Sequence, residues 1–201
     1  MAINDFNEEK VIKANGFGKF IFFLSFLLII PIFIYIAMRN NLIRLETKVK
    51  EADSGIDVQL AKRRDMLTKL IEAVKKALKF EKETLEAVTQ LRNTNLNNLN
   101  PKEKSVINSK MDDIQKAINV QLEAYPDLTA TKNISDLQDA IQEVENDISA
   151  SRRIYNSNVN YYNTKIQQYP TTVAAQSLNS VTKLFFEATD RQKEDVVINL
   201  D

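Results

Sequence analysis

LIRLETKVKEADSGIDVQLAKRRDMLTKLIEAVKKAL, residues 42–78, is the stretch on which the architecture turns. Its apolar side chains step by three and four: Leu42, Leu45, Val49, Ala52 and Ile56, then Leu60, Leu67, Leu70, Ile71, Val74, Ala77 and Leu78. That spacing puts them on one face of an α-helix, and Leu85, Val88 and Leu91 prolong the stripe. No proline interrupts residues 40–100, and Gly55 alone weakens the run, by about 1 kcal/mol relative to alanine. The pattern predicts a single helix over 42–91, roughly 75 Å long.

Downstream, NTNLNNLN (93–100) breaks the period with residues that favour turns and caps. Asn100 before Pro101 reads as an N-cap with proline at the first helical position. It opens a second helix on Val106, Ile107, Met111, Ile114, Ile118, Leu122 and Tyr125, which Pro126 closes. Ser135 and Gln138 form a capping-box pattern, and Leu137, Ile141, Val144, Ile148, Tyr155, Val159, Tyr162, Ile166 and Tyr169 carry a third helix to Pro170. A weaker set, Val173, Leu178, Val181, Leu184 and Phe185, suggests a short fourth helix. No alternating run of β-branched residues occurs, so the class is all-α: an antiparallel bundle of three long helices plus a short fourth.

The second and third helices, roughly 37 Å and 52 Å long, are too short to cover the first. Residues 42–56 are therefore expected to protrude as a stalk. Its seam, Leu42, Leu45, Val49, Ala52 and Ile56, has the spacing of a coiled coil. Either it pairs between chains, giving a parallel homo-oligomer, or the fourth helix or the tail covers it.

Upstream, FIFFLSFLLIIPIFIYIAM (20–38) departs from apolarity only at Ser25, Pro31 and the hydroxyl of Tyr35. Nineteen residues of helix cover about 28 Å, the hydrocarbon thickness of a bilayer. A cleavable signal peptide has a shorter apolar core and a small-residue cleavage site, and Ile-Ala-Met-Arg offers none. Pro31 removes one backbone hydrogen bond and predicts a kink, and no charge inside the span marks an ion path. Lys10, Lys13 and Lys19 precede it, while Arg39, Arg44, Lys48 and Lys50 follow, so the charge bias does not choose a side for the bundle. The chain divides into a leader (1–19), a transmembrane helix (20–38), a bundle with its stalk (39–188) and a charged tail (189–201).

Lys plus Arg and Asp plus Glu both number 27, so no charge excess draws the protein to nucleic acid. Without a single His or Cys, zinc, haem and thiolate centres and histidine relays are out of reach. A hydrolase built on carboxylates alone would need acids converging in a cleft, and these are spread along helices. Neither enzymatic activity nor a cofactor is expected.

The third helix holds the candidate interaction face. SRRIYNSNVNYYNTKIQQYP, 151–170, carries four of the six tyrosines. Tyr155, Tyr162 and Tyr169 fall on the core stripe, whereas Tyr161 lies off it with no packing role. Asn156, Asn160 and Asn163 follow the stripe about 100° round the helix. They are a solvated face, a hydrogen-bonded ladder fixing register, or one wall of a ligand groove. Arg63, on the first helix's apolar stripe, either lays its stem over the core edge with the head in water or pairs between helices with Glu143, Glu145 or Asp147.

Four segments carry a likeness: IDVQLAKRRDMLTKLIEAVKKALKFEKETLEAV (56–88), EAYPDL (123–128), LQDAIQEVENDISASRRIYNSNVNYYNTKIQQYP (137–170) and FFEA (185–188). In this order and at these spacings they resemble the LemA family of bacterial membrane proteins over about 39–189. The resemblance implies an N-terminal membrane anchor, a long-helix bundle and no established enzymatic chemistry. Two functions are consistent with all of this. One is a membrane-anchored scaffold or adaptor in the bacterial cell membrane, with the lipid bilayer, further copies of itself and an unidentified protein as partners. The other is an envelope receptor or adaptor that binds a small ligand or peptide along the Tyr/Asn-rich third helix.

Overall fold

A computed structural model describes residues 13–75, 80, 82–96 and 99–186. It contains α1 (Gly16–Val74), α2 (Lys82–Asn93), α3 (Pro101–Glu123), α4 (Pro126–Thr129), α5 (Lys132–Gln167) and α6 (Thr171–Ser177). No strand occurs among the described residues; the fold is an all-α bundle on a long N-terminal helix.

α1 is one helix of 59 residues, about 88 Å long. Asn15 caps it, accepting a hydrogen bond from the Phe17 N–H at 3.3 Å. The helix runs without a break through the apolar segment, across Pro31 and into the bundle. Its first half is long and apolar enough to cross a membrane, and none of its most apolar window is buried in the protein. Its second half is amphipathic, with Leu42, Leu45, Val49, Ile56, Leu60, Leu67, Leu70, Ile71 and Val74 all buried.

The single helix predicted over 42–91 is two helices. α1 ends at Val74 and the chain resumes as α2 at Lys82. A straight continuation would have carried Val88 and Leu91 past the ends of their neighbours. Reversal buries both, as α2 packs on α1 and α3, and burying an apolar side chain of that size stabilises by about 1.5–3 kcal/mol. Ala77 and Leu78 lie outside the described residues.

α5 has the most extensive interface with α1 and runs antiparallel to it. The Asn158 amide donates to the Lys48 carbonyl at 3.3 Å, while Glu145 meets Arg63 further along. The reversal at Val74 also removes the expected stalk. The part of α1 beyond the apolar segment, 39–74, spans about 54 Å, and α5 spans the same length. The seam is covered: Leu42, Leu45, Val49 and Ile56 are buried within one chain and Ala52 is partly buried.

α3 runs parallel to α1, as Lys104 meets Asp53 and Asp57 while Asp112 meets Arg63. Asn100 caps it as the sequence indicates. Its Oδ1 accepts from the Glu103 N–H at 3.0 Å, and Glu103 Oε2 accepts from the Asn100 N–H at 2.8 Å. This reciprocal box lies here and not at Ser135 and Gln138. α5 already begins at Lys132, so Ser135 is inside the helix. Two tyrosines assigned to the core stripe lie outside it. Tyr125 follows the end of α3 and is 47% exposed, and Tyr169 follows the end of α5 and is 84% exposed.

The fourth helix is limited to Thr171–Ser177, joined to α5 through a cis Tyr169–Pro170 peptide. Asn179 then takes φ 50°, a left-handed conformation asparagine tolerates. Residues 180–186 leave the helix and return along α5 as a strap. Val181, Leu184 and Phe185, predicted to line a helix face, are exposed on this strap, and Phe186 is its buried anchor.

Candidate functional site

Two constellations stand out, one inside the bundle and one where the strap crosses α5. The first centres on Arg63, which α1's stripe carries into the core and leaves 1% exposed. Its Nη1 donates to Asn108 Oδ1 at 2.9 Å and Asp112 Oδ1 at 2.7 Å, and its Nη2 to Gln115 Oε1 at 2.8 Å and to Glu145. Only Nε lacks a partner. The planar guanidinium suits this role, since it spreads several donors in a fixed fork toward α3 and α5 at once. Of the two sequence readings, pairing between helices is the one observed, with Glu145 as the acid. Its α3 partners were legible in retrospect. Asn108, Asp112 and Gln115 recur at four and three residues beside the apolar Ile107, Met111 and Ile114, a polar line along the edge of a buried face.

One turn and a half below, Lys104 is also 1% exposed, and its Nζ lies 2.6 Å from Oδ1 of both Asp53 and Asp57. Burial raises the Asp57 carboxyl above its usual value, opposed by the Lys104 ammonium. This node was missed by sequence reasoning, although Asp53 and Asp57 share one helix face next to Ile56 and Leu60. In both nodes a buried cation is enclosed by carboxylates from neighbouring helices. The Arg63 cluster ties α1 to α3 and α5, and the Lys104 cluster ties α1 to α3, each fixing the register of the helices it joins. Among the described residues no group of acids is arranged to hold a metal ion.

The second constellation is built by α5. Asn163 Nδ2 donates to the Lys183 carbonyl at 2.9 Å, and its Oδ1 accepts from the Lys183 N–H at 2.8 Å. Asn156 treats Phe186 in the same way, at 2.9 Å and 2.8 Å. Two helical turns separate the asparagines, about 10 Å, which is the reach of three residues of extended chain. The spacings match, so each carboxamide satisfies both backbone groups of one strap residue. Between them the Tyr155 hydroxyl donates to the Leu184 carbonyl at 2.9 Å. Burial pushes the Tyr155 phenol up to about 12, so it remains a donor throughout the physiological range. Lys183 Nζ reaches Glu46 of α1 at 2.8 Å, and the Arg152 guanidinium lies 4.4 Å over the Phe186 ring.

The six residues of the expected interaction face thus separate. Arg63 is inside the bundle, and Tyr155, Asn156 and Asn163 are engaged by the protein's own strap. Asn160 is exposed, and Tyr161 is 52% exposed, off the stripe as expected, with Lys165 Nζ 5.6 Å over its ring. Asn160 is solvated, whereas Asn156 and Asn163 are neither solvated nor a ladder between helices; they hold a non-helical segment. The candidate seam, Leu42, Leu45, Val49, Ala52 and Ile56, is packed within the chain.

Compared with known proteins, residues 52–200 match the family model described as LemA family. The chain belongs to the LemA family. It is also similar to Protein LemA of Metamycoplasma hominis, at 34% identity over 194 residues, spanning 94% of this chain and 88% of that protein. The LemA match takes in both ion clusters, α5 and the strap. The coverage of the mycoplasma LemA protein is wide enough to include the apolar segment as well.

Proposed function

We propose that this protein is a non-enzymatic scaffold or adaptor, held in a bacterial cell membrane by a single span at 20–38 and presenting its bundle to a protein partner. The continuity of α1 carries the reading. The exposed apolar segment and the central helix of the bundle are one continuous helix, an economical way to mount a recognition surface on lipid. The chemistry of the side chains supports it. Buried charges are neutralised by neighbours that also tie helices together, an arrangement suited to rigidity rather than to turnover.

Partners in this reading are the bilayer and a protein that docks on the exposed helix faces. Self-association needs a surface other than Leu42, Leu45, Val49, Ala52 and Ile56, which are engaged within the chain. A ligand on α5 would likewise have to use Asn160 and Tyr161, since the strap fills the groove beside them.

Proximity labelling tests the scaffold. A labelling enzyme fused after Asp201 should enrich a small, reproducible set of membrane-associated proteins relative to the same enzyme on residues 1–38 alone. Indistinguishable profiles from the two fusions would remove the adaptor role.

A further inference from the structure

The bundle does not begin where the apolar segment stops. Tyr35 and Met38, both in the last turn of that segment, pack against the core, and the Tyr35 hydroxyl donates to Ser177 Oγ of α6 at 2.7 Å. The end of α6 is therefore level with a residue inside the apolar run. A second, independent register agrees. From the contact of Asn158 with Lys48, counting forward along α5 to its last residue, Gln167, and back along α1 by the same number reaches Arg39. Both routes bring the corner between α5 and α6 to the edge of the apolar segment.

What this corner shows to its surroundings is unusual for a bundle end. Tyr169 is 84% exposed and Val173, on α6, is 50% exposed, while Ala174 and Ala175 face inward and are buried. Among the described residues, no neighbour covers either side chain. At the height where hydrocarbon gives way to headgroups, an exposed tyrosine is the residue type enriched at that boundary, and the apolar Val173 beside it adds surface that lipid can cover.

We infer that the corner from Tyr169 through α6 is a second membrane-contact element, seated in the headgroup region of the bilayer that holds 20–38. The inference rests on the anchored reading and adds to it. The protein touches lipid at two places on its surface, its span and the foot of α5, and α6 clamps them together through Tyr35. Because α1 is unbroken, the corner has no freedom to leave that height while the span is inserted.

The chain has no cysteine, so single probes are clean. Phe26→Cys, Tyr169→Cys, Val173→Cys and Val120→Cys, the last exposed on α3 far from the corner, are each labelled with NBD in the full chain. Each is reconstituted in phosphatidylcholine vesicles carrying nitroxide lipids at shallow or deep positions. The inference expects the shallow nitroxide to quench the probes at 169 and 173 several-fold more than the probe at 120, and the deep one to quench the probe at 26. Quenching at 26 with the probes at 169 and 173 no different from 120 would overturn the inference and leave the anchor standing. No quenching at 26 would remove the anchor and the inference together. Blue-shifted emission at 169 and 173 without lipid quenching would mean that protein covers the corner, most simply a second copy, and would also overturn it.

Discussion

At the scale of single residues the molecule is held by side chains that satisfy several groups at once. Arg63 serves acceptors on two helices, so its loss leaves Asp112 and Glu145 facing a hole. Removing one partner of a fully buried pair costs about 3–5 kcal/mol. Asp112 keeps 42% of its side chain in solvent and Glu145 27%, which lowers the expected cost of Arg63→Ala to about 2–3 kcal/mol. Urea unfolding followed by circular dichroism in mild detergent measures it, and a loss below experimental error would show that the cluster is idle. On α5, Asn156→Ala and Asn163→Ala each remove two hydrogen bonds to strap backbone and should each cost about 1–2 kcal/mol. Asn160→Ala, on the same helix but exposed, should stay within about 0.5 kcal/mol. Amide exchange at 183 and 186 should rise in the first two variants and not in the third.

The strap also responds to acid. The hydrogen bond from Lys183 holds the Glu46 carboxyl below its usual 4.5 despite some burial. A carboxylate depressed on folding stabilises the fold above its unfolded value and loses that contribution as pH falls through the folded one. Asp57, raised by burial, has the opposite sign: its proton favours the folded state, so acid relieves a cost between α1 and α3. Exchange protection of the strap should therefore fall below pH 4.5 before that of the α1–α3 contact does. Simultaneous loss of both would contradict this division.

At the scale of elements, the stripe from Leu42 to Val74 and the Asn100–Pro101 start of α3 were readable because each is a local signal. Periodicity and capping need only a few neighbouring residues. The break after Val74 was not readable, for the apolar spacing continues past it and only the tertiary reward of burying Val88 and Leu91 chooses reversal. The strap escaped for a related reason. Val181, Leu184 and Phe185 have helix-like spacing, yet what fixes 183–186 is a pair of asparagines twenty to thirty residues away. Those asparagines were picked out, and their partner was not, because carboxamides do not disclose which backbone they will hold. α1 itself permits a gain. A Cβ added at Gly55 meets no atom within 4 Å, and its backbone is helical, so Gly55→Ala should stabilise by about 1 kcal/mol. Thermal unfolding would detect it, and a lowered midpoint would mean that the position serves some need other than helix.

At the scale of the whole molecule, the apolar segment and the bundle are legible separately in the sequence, but not their fusion into one rod. Arg39 and the charged residues beyond it suggest a boundary, and the helix simply passes it. Placing charge in the middle of the span tests the anchor directly. Leu27→Arg with Ile30→Arg introduces about 2.5–3.5 kcal/mol of insertion cost per arginine, and the variant should move from carbonate-washed membranes to the soluble fraction. Retention would show that lipid is not what holds the chain there.

In the proposed anchored reading, the unbroken passage of α1 from the apolar segment to the far end of the bundle makes the protein a ruler. In that reading the turn around Tyr125 and α4 stands about 50 Å from the bilayer surface, the length of helix between Met38 and Val74. Whatever meets the protein at that tip must itself extend to that height, while smaller neighbours pass beneath it. A single rigid distance, set by the number of residues between Met38 and Val74, thus sorts which components of the cell surface or cytoplasm can be reached at all.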